Sequence, residues 1–569
     1  MQFRTSLLRA LFISFPVISF SQSTYLPFGG KESWLLDRME IKLQTNSDFN
    51  LSTVKPYVRN IYVRQGEIID SLIGAGANPA GFSKVDQYNL DRFLANNTEY
   101  TTYQKESWKS KKAILNTFYA SKGNLLEVNN KDFYLSVNPA INAQMGFGNN
   151  DKEGKMYVNT RGAIVRGLIA KKIAFNVYVS DNQERGPQYF QDRVNGMLAV
   201  PGVGFYKSFK KTAFDYFDAR GSIATNVTKY VNVQFGFDKN IIGNGYRSLF
   251  LSDYANSYLF LKLNTRIWKL NYTNIFTELM PAFKVNNGNS LLPRKYAAMH
   301  HLSYNVNKWL NIGLFESVMF GRKDHFDFSY LIPVIFLRSM ESNNGSADNS
   351  NVGFDFKANI AHKIQLYGQL MLDELRVKEA FNGKKWWGNK QAIQLGAKYV
   401  DAFGISNLDL QGEANFIRPF VYSHYDSAAG YNHYNQPLAH PLGANVKEVI
   451  AIAKYQPVPK LYLTVKGIFW KQGLDSVGGH NWGSNIFKVE DYDNPLLHSR
   501  IGDYGFSIGD GLASTGINAS VVASYEVREN LFLDASVMQR NLKINGFTSK
   551  TSMFTLGFRW NLARREYDY

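Results

Sequence analysis

Apolar and polar residues alternate with a period of two over most of the chain from residue 131 onward. The segment 231–238 reads VNVQFGFD, 173–180 reads IAFNVYVS, and 408–416 reads LDLQGEANF. In each run the apolar positions share one face, and the runs approach the ten residues that a tilted membrane strand needs. Strands of soluble β-sandwiches also alternate, but they are typically about five to six residues long. The pattern therefore predicts membrane-spanning β-strands.

The same pattern predicts about 18 strands, joined by connections that alternate between short and long. The connections 169–171, 226–229 and 361–362 are short, whereas 181–214 and 320–351 are long. Outer-membrane barrels have short periplasmic turns and long outer loops on alternate sides, and an even strand number returns both termini to the periplasm. We place strands near 133–145, 156–168, 172–180, 215–225, 230–238, 257–266, 268–277, 296–305, 310–319, 352–360, 363–373, 391–400, 407–418, 446–455, 461–471, 515–525, 530–540 and 551–560.

Two segments near these strands need their own interpretation. The apolar stretch 328–337 is interpreted as part of a long loop, because a strand there would put the connections out of phase. The last strand carries an aromatic-rich face over 554–560, which resembles the signal read by the barrel-assembly machinery. The tail 561–569 departs from that signal, which commonly ends the chain. The predicted fold class is an all-β membrane barrel with long extracellular loops, short periplasmic turns and a small N-terminal α-helical periplasmic segment.

The first residues have the features of a signal peptide. A positively charged start precedes the mostly apolar run 10–20, and the small residues Ser19 and Ser21 stand before an expected cleavage site at Gln22. A membrane anchor is the alternative, but the run 10–20 is too short for it, because a spanning helix needs about 20 apolar residues. We therefore expect export.

Helical spacing of apolar residues characterises the region between the signal and the first strand. It recurs over 54–72, with Thr53 as a possible cap, and again over 85–94 and 108–118. These stretches predict a small helical bundle. The predicted organisation is a signal peptide at 1–21, a periplasmic helical segment at 22–130, an outer-membrane barrel at 131–560 and a C-terminal tail at 561–569.

Composition and charge narrow the chemistry and the partners. The chain has 569 residues, with 34 Tyr, 41 Phe and no Cys, so disulfides, thiolate zinc sites and lipid-bearing cysteines are excluded. The formal net charge is +17, and loss of Arg4 and Arg9 with the signal leaves 17 − 2 = +15. For an exported barrel this charge favours lipid headgroups, lipopolysaccharide or an anionic surface polysaccharide as partners, and it disfavours nucleic acid.

Motifs for catalysis or metal binding are weak in this chain. The segment 505–509 matches G-x-S-x-G, but a nucleophile elbow needs a following helix, and a membrane-type strand follows here. Gly243 and Gly245 lack the helix that a phosphate loop requires. Acidic residues cluster at 490–493 without a complete calcium-loop pattern. We therefore expect a protein that is not an enzyme and that has no cofactor and no metal site.

Aromatic and histidine residues are concentrated in the long loop 419–445. Aromatic rings can cover the C–H faces of sugars while hydroxyl and imidazole groups form hydrogen bonds. The alternative is a self-packed loop that closes the barrel mouth. The pair Trp386–Trp387, in the long loop that precedes residue 391, admits the same two interpretations. The candidate glycan-binding residues are Trp386, Trp387, Tyr422, His424, Tyr425, Tyr431, His433 and Tyr434.

Polar positions on the inner faces of the predicted strands should line the lumen. Their opposite charges could plug the barrel through ion pairs or could line a channel, and the sequence leaves both open. The expected inward-facing residues are Asp355, Lys357, Gln365, Gln369, Asp373, Asp409, Gln411 and Glu413.

Several segments resemble the Wzi-type capsule-assembly outer-membrane proteins, and within them the Bacteroidetes group that includes the gliding-motility protein RemB. The segments include 33–42 (SWLLDRMEIK), 125–141 (LLEVNNKDFYLSVNPAI), 236–265, 330–375 and 438–449 (LAHPLGANVKEV). The resemblance implies an 18-stranded barrel with periplasmic helices in the cell outer membrane. It also implies a role in holding polysaccharide at the cell surface, with gliding or secretion machinery as further partners.

Two hypotheses of function follow from these observations. The first is a binder or organiser of surface polysaccharide, serving capsule or exopolysaccharide attachment or gliding. The second is a passive porin or substrate channel, since barrels of this strand number can enclose an aqueous lumen. An outer-membrane enzyme would need Ser507 as a nucleophile, and the sequence offers no convincing base for it.

Overall fold

The computed structural model describes residues 23–44, 47–78, 80–111, 113–115, 118–149, 155–284, 291–334, 336–345, 348–475, 480–488, 500 and 502–569. The predicted signal peptide and the acidic cluster at 490–493 lie outside the described residues. No helix of the described part of the chain is long and apolar enough to cross a membrane.

Eighteen antiparallel strands close into a barrel, in which the last strand pairs with the first. Every strand pairs with its sequence neighbours, so the barrel is an up-and-down meander. The strands are β1 (Phe133–Gly148), β2 (Met156–Ile169), β3 (Ile173–Arg185), β4 (Ala213–Asn226), β5 (Val231–Asp238), β6 (Tyr258–Ile267), β7 (Leu270–Leu279), β8 (Lys295–Asn305), β9 (Leu310–Phe320), β10 (Asn349–Ile360), β11 (Ile364–Glu374), β12 (Lys390–Tyr399), β13 (Leu408–Ile417), β14 (Val446–Val458), β15 (Leu461–Leu474), β16 (Leu512–Arg528), β17 (Leu531–Ile544) and β18 (Phe547–Trp560).

The predicted strands and their number are confirmed. Each predicted strand overlaps an observed one. The long connections all fall at one end of the barrel, which also holds the two-residue turn 545–546 between β17 and β18. The apolar stretch 328–337 is a loop, as predicted: it contains the short 3-10 helix Phe328–Leu331 and leads into the helix Leu337–Asn343. We refer to the end with the long loops as the outer end, following the rule for bacterial barrels.

Apolar side chains form the external surface of the barrel wall. Val465 is paired with Val521, Val521 with Val537, and Val537 with Phe554, and all four side chains are exposed. A continuous apolar band of this kind is unfavourable in water but is the surface that a lipid bilayer covers. Trp268 and other aromatic residues are exposed at the short turns, where a bilayer interface is expected.

The N-terminal segment forms a compact helical unit against the end with the short turns. Its helices are α1 (Lys31–Leu43), α2 (Ser47–Asn50), α3 (Arg59–Gly74) and α4 (Lys84–Ala95). They share an apolar core that includes Leu36, Met39, Val63, Phe93 and Leu94. Helix α4 begins with a capping box, in which the Ser83 hydroxyl accepts from the Asp86 amide and the Asp86 carboxylate accepts from the Ser83 amide.

The sequence-based helix assignments in this segment are partly wrong. The third predicted helix, at 108–118, is absent from the described residues. Apart from the 3-10 turn Glu106–Trp108, this stretch forms isolated antiparallel β-bridges, such as that between Ile114 and Phe118. The side chains of Ile114 and Leu115 are exposed. The first predicted helix begins at Arg59, because residues 54–58 are extended and pair with other segments. Helix α1 was not predicted, since several charged residues on its surface are buried and its apolar periodicity is short.

Candidate functional site

The N-terminal segment is bonded to charged side chains that project from the barrel wall into the lumen. The Lys357 ammonium group on β10 lies 2.7 Å from the Glu40 carboxylate of α1, and the Gln365 amide on β11 donates to the same carboxylate at 3.3 Å. The Lys398 ammonium group on β12 lies 2.9 Å from the Asp37 carboxylate. The inner wall and this segment are therefore joined by complementary charge.

Arg38 is the centre of the largest of these ion-pair clusters. Its guanidinium group is 2.7 Å from Asp86 of α4 and 2.9 Å from Asp401, in the turn after β12. It also donates to Asp409 on β13, which accepts a further bond from the Trp34 indole. Burial alone would raise the pKa of Asp86, but hydrogen bonds and positive charge from Arg38 and Lys42 together lower it to about 2. Asp86 is therefore ionised at neutral pH.

The long loop between β5 and β6, residues 239–257, enters the lumen from the outer end. The amides of Tyr246 and Arg247 donate to the Glu413 carboxylate at 2.6 and 3.0 Å, and the Leu249 amide donates to Gln369 at 2.8 Å. Gly245 allows this approach, because a Cβ at that position would collide with the Glu413 carboxylate. The glycines that resembled a phosphate loop therefore serve close packing against the wall.

The inward loop also meets the N-terminal segment directly. Residues Ile241–Ile242 pair as a short antiparallel ladder with Val54–Lys55. The Gly243 amide donates to the Thr53 carbonyl at 2.9 Å, and the Lys55 ammonium group donates to the Gly243 carbonyl. Segments from opposite ends of the barrel are thus joined within the lumen.

The loop between β13 and β14, residues 418–445, packs over the inward loop. The Tyr422 hydroxyl donates to the Leu249 carbonyl at 3.1 Å, and the Tyr431 hydroxyl donates to the Phe250 carbonyl at 2.6 Å. The two tyrosine rings stack at 5.6 Å, and both side chains are fully buried. This arrangement corresponds to the self-packed loop that closes the barrel mouth.

His433 is built into the same packing as a neutral side chain. Its Nδ1 accepts from the Met280 amide at 3.0 Å, so the ring proton resides on Nε2, which donates to the Ser257 carbonyl at 3.1 Å. Burial, with a further contribution from nearby Lys295 and other cations, lowers the pKa of His433 to about 3. The imidazole therefore acts as a fixed structural link.

The C-terminal tail, residues 561–569, turns back into the barrel. The Lys466 ammonium group on β15 lies 2.9 Å from Glu566 and 2.6 Å from Asp568. The Tyr567 hydroxyl donates to Glu184 on β3, whose carboxylate also lies 3.1 Å from Arg565. The tail therefore adds a fourth packed segment to the lumen.

The residues predicted to line the lumen are engaged by these segments or by one another. Asp373 accepts from the Tyr422 amide at 2.8 Å, Gln411 donates to the Tyr367 hydroxyl at 2.9 Å, and Asp355 lies within hydrogen-bond distance of His301, at 2.7 Å. The remaining members of the set contact the N-terminal segment or the inward loop through the bonds already given. Of the two alternatives left open by the sequence, the described contacts favour a plugged lumen.

The predicted glycan-binding residues divide into a buried and an accessible group. Trp386, Tyr422, Tyr431, His433 and Tyr434 are all buried, so in this arrangement their rings are not accessible to a glycan at the surface. Their hydroxyl and imidazole groups are already used to hold loops together, as shown for Tyr422, Tyr431 and His433. The accessible group is Trp387, His424 and Tyr425.

Tyr425 and His424 form a tilted pair of rings at the outer end of the barrel. Their ring centroids are 4.2 Å apart, and the Tyr425 side chain is 51% exposed. Burial, together with the positive charge of Lys390, lowers the pKa of His424 to about 4, so the imidazole is neutral at physiological pH. The Lys390 ammonium group donates to the Ser423 carbonyl at 3.0 Å, and it also lies 5.3 Å from the Trp387 ring centre.

Basic side chains from the loop between β11 and β12 extend this surface. The Lys384 carbonyl accepts from the Gly505 amide at 3.0 Å and the Lys385 carbonyl from the Phe506 amide at 3.1 Å, so this loop is fixed against the segment before β16. The Lys384 ammonium group lies 5.7 Å from the ring centre of Tyr504, which is itself exposed. We call this set the outer basic-aromatic surface; it comprises Arg376, Lys378, Lys384, Lys385, Trp387, His424, Tyr425 and Tyr504.

Five members of this surface were missed by the sequence analysis. Lys384 and Lys385 directly precede Trp386–Trp387, so the KKWW run was a signal that could have found them. Arg376 and Lys378 lie a few residues earlier in the same loop. Tyr504 comes from a segment more than 100 residues away, and no local pattern connects it with that loop.

The weak catalytic motifs are explained by turns. The segment 505–509 lies in a loop, where the Ser507 amide donates to Asp510 at 2.7 Å, and β16 begins at Leu512 without an intervening helix. This is not the geometry of a nucleophile elbow. Among the described residues, no group of three or more His, Asp or Glu side chains is arranged to hold a metal ion.

Comparison with known proteins identifies structures with a similar fold but does not assign the chain to a family. No family model matches the chain, and no curated protein matches it. The fold is similar to that of Wzi of Escherichia coli, an outer-membrane protein involved in group 1 capsule assembly and described as a carbohydrate-binding β-barrel. The TM-score is 0.53 at 13% sequence identity, over 95% of this chain and 100% of Wzi.

Two other solved structures match the chain with lower TM-scores. OprD of Pseudomonas aeruginosa has a TM-score of 0.41 at 11% identity over 75% of this chain and 94% of OprD. OccAB4 of Acinetobacter baumannii has a TM-score of 0.41 at 10% identity over 76% of this chain and 98% of OccAB4. The closed 18-stranded barrel and the similarity to Wzi show that the chain has the fold of an outer-membrane β-barrel.

Proposed function

We propose that this protein is a plugged outer-membrane barrel that binds an anionic surface polysaccharide through its outer basic-aromatic surface. The observation that carries the proposal is the combination of two features. Segments from both ends pack within the lumen, and above them the accessible side chains Lys384, Lys385, Tyr425 and Tyr504 are presented at the outer end. A barrel arranged in this way is suited to holding a polymer outside the cell.

Two physical contributions would combine in such binding. Ring faces such as that of Tyr425 would cover the C–H faces of sugars, and this short-range contribution depends little on salt. The lysines and Arg376 would attract carboxylate or phosphate groups of the polymer, and this contribution weakens as the screening length falls from about 10 Å at 0.1 M to about 3 Å at 1 M salt. Binding should therefore decrease with ionic strength without vanishing.

Other observations support the proposal. The formal net charge is +17 over the whole sequence, which favours an anionic partner. Wzi, whose fold is similar, is described as carbohydrate-binding. Within this proposal, the buried Trp386, Tyr422, Tyr431, His433 and Tyr434 support the surface from below. The more specific role suggested by the resemblance to RemB, in gliding with its machinery as partner, is a further part of the proposal.

The decisive experiment measures retention of an anionic polysaccharide by proteoliposomes. The test variants are Lys384→Ala with Lys385→Ala, and Tyr425→Ala with Tyr504→Ala. We expect the lysine variant to lose most of the salt-sensitive binding and the tyrosine variant to lose most of the salt-resistant binding.

A matched control comes from another long loop of the same barrel. Lys210 and Lys211 are also adjacent lysines near the outer end, but they lie before β4 and away from the proposed surface. Replacing both with Ala changes the net charge by the same amount. Equal losses in the two lysine variants would show that binding depends on charge alone, and unchanged binding in both test variants would refute the proposed site.

A further inference from the structure

A row of polar side chains crosses the external, membrane-facing side of the barrel wall. Asn274 on β7 is paired with His300 on β8, and His300 is paired with Glu316 on β9. Their neighbours Ile275 and Phe315 face the lumen, where they belong to the internal apolar core, so this row faces outward. The imidazole Nδ1 of His300 lies 2.9 Å from the Glu316 carboxylate.

The row lies near the middle of the barrel wall. Asn274 is the fifth of the ten residues of β7. With a rise of about 3.3 Å per residue and a strand tilt of about 40°, it lies about 13 Å below the outer end of that strand. Polar groups at this depth are costly in lipid unless they are paired.

The loop between β9 and β10 folds down over this row from the outer end. The Asn274 amide donates to the Pro333 carbonyl at 3.0 Å, and the Glu316 carboxylate accepts from the Leu337 amide at 3.0 Å. Around these bonds, Tyr330 and Leu337 of the loop pack against outward-facing residues of the wall that include Phe276 and Val318. We call the described residues 326–334 and 336–337 the external strap.

The far side of the external strap is apolar and accessible. Phe328 is 77% exposed and Val334 is 84% exposed, and Leu331, Ile332 and Phe336 are exposed as well. The strap therefore has two different sides: the Pro333 carbonyl and the Leu337 amide face the wall, and the exposed apolar side chains lie on the other side. Its outer side continues the exposed apolar wall at Leu314 and Phe354.

Charged groups that anchor the loop lie near the outer rim. Arg322 forms ion pairs with Asp348 at 2.6 Å and with Asp327 at 3.1 Å, and the Tyr330 hydroxyl donates to Asp348 at 2.6 Å. The Arg338 guanidinium group is 2.7 Å from Glu341 in the following helix. The long Arg338 side chain can also reach toward the headgroups.

We propose that the external strap is inserted into the outer leaflet of the bilayer and that its exposed side contacts lipid acyl chains. Irregular backbone is tolerated at membrane depth where it is buried against protein, and the strap bonds to the barrel wall through the Pro333 carbonyl and the Leu337 amide. Asn274 and Glu316 satisfy these two groups, and Pro333 has no amide hydrogen to satisfy. The occupant is assigned as lipid because the strap's apolar side is continuous with the membrane-facing wall. This inference is independent of polysaccharide binding.

Single-cysteine labelling tests the inference, since the native chain has no cysteine. Val334→Cys is labelled with an environment-sensitive fluorophore and reconstituted into proteoliposomes. Val465→Cys, on the membrane-facing side of β15, is the lipid-exposed control. Phe381→Cys, at an 87% exposed position in another outer loop, is the water-exposed control.

The expected result is that quenchers attached to lipid acyl chains act on the label at 334 to within about twofold of their effect at 465. Aqueous iodide should quench the label at 381 at least severalfold more than the label at 334. Iodide quenching at 334 equal to that at 381 would overturn the proposal. So would shielding of 334 from both quenchers together with crosslinked dimers, because a second protein would then be the occupant.

A second variant tests the role of the polar row. Combining Asn274→Leu with Glu316→Leu removes both side chains that bond to the strap, while the barrel wall becomes more apolar. We expect a heat-modifiable, folded barrel in which the label at 334 becomes accessible to iodide. Continued protection of 334 in this folded variant would contradict the assigned anchoring role.

Discussion

The Lys357 ammonium group on the inner wall of β10 lies 2.7 Å from the carboxylate of Glu40 on helix α1. The same ammonium group donates to the Ser52 hydroxyl, and Ser52 in turn donates to Glu40 at 2.7 Å. A wall residue near the middle of the sequence is thus bonded to two residues of the N-terminal segment. Contacts of this kind hold the N-terminal segment, which we call the N-terminal plug, in a defined position relative to the barrel wall.

Removal of Arg38 should loosen the N-terminal plug. Arg38→Ala removes the ion pair of Asp409 with Arg38 and leaves Asp86 and Asp401 with Lys42 alone, and loss of one partner from a buried ion pair costs about 3–5 kcal/mol. We expect faster proteolysis of the N-terminal segment in the folded barrel. The control is Lys109→Ala, which removes an exposed ion pair with Glu106 worth about 0–1 kcal/mol. Equal proteolysis rates in the two variants would contradict the account.

A methyl group at Gly245 should displace the inward loop. In Gly245→Ala the new Cβ would collide with the Glu413 carboxylate and lie 2.8 Å from the Arg247 carbonyl. We expect a destabilisation of about 1–3 kcal/mol, as for overpacked cores, measured as a lower temperature of the gel-shift transition. Gly412→Ala is the matched control, because its Cβ meets nothing within 4 Å among the described residues. An unchanged transition in Gly245→Ala would be inconsistent with the described packing.

Acid should release the loop 418–445 through His433. The pKa of His433 is about 3 in the folded loop, against an ordinary value of 6.5 for a solvated imidazole, so the released loop binds more protons between these values. Stability of the closed loop should therefore fall as pH drops below about 6.5, by up to about 1.4 kcal/mol per pH unit, until about pH 3. Limited proteolysis of the loop at stepped pH measures this. His433→Gln lacks the titrating group, and an identical acid response in that variant would exclude His433 as the cause.

A lysine introduced on the membrane-facing side of β3 should impair assembly of the barrel more than a lysine introduced on its inner side. Val177 faces the membrane, where a lysine at mid-depth costs about 2–4 kcal/mol, whereas Asn176 faces inward and accepts from the Ser222 hydroxyl at 2.7 Å. We expect Val177→Lys to reduce the yield of folded protein in the outer membrane more than Asn176→Lys does. Equal yields would show that the faces are misassigned.

Strand positions could be predicted because each strand faces lipid on one side and polar groups on the other. The period-two pattern in 231–238 follows directly from that asymmetry. The segment 328–337 was assigned to a loop because a strand there would have broken the alternation of short and long connections. The inner-face positions of Lys357 and Glu413 follow from the same alternation. Local sequence therefore determines which residues face the lumen.

The contents of the lumen could not be predicted in the same way. An inward loop and an outward loop have similar turn residues, so nothing local distinguishes buried Tyr431 from exposed Tyr425. Helix α1 was missed because Arg38 and Glu40 are buried against charges on distant strands, which breaks the usual apolar periodicity. The external strap also depends on long-range partners, since Asn274 and Glu316 satisfy its backbone.

The most direct test of the plugged barrel is planar-bilayer recording of the purified, full-length protein. The packed N-terminal segment, inward loops and C-terminal tail predict no steady conductance from the wild-type protein. Arg38→Ala, which loosens the N-terminal plug, should produce openings under the same conditions and so show that the protein inserts. A steady open conductance from the wild-type protein would contradict the account and would favour a porin.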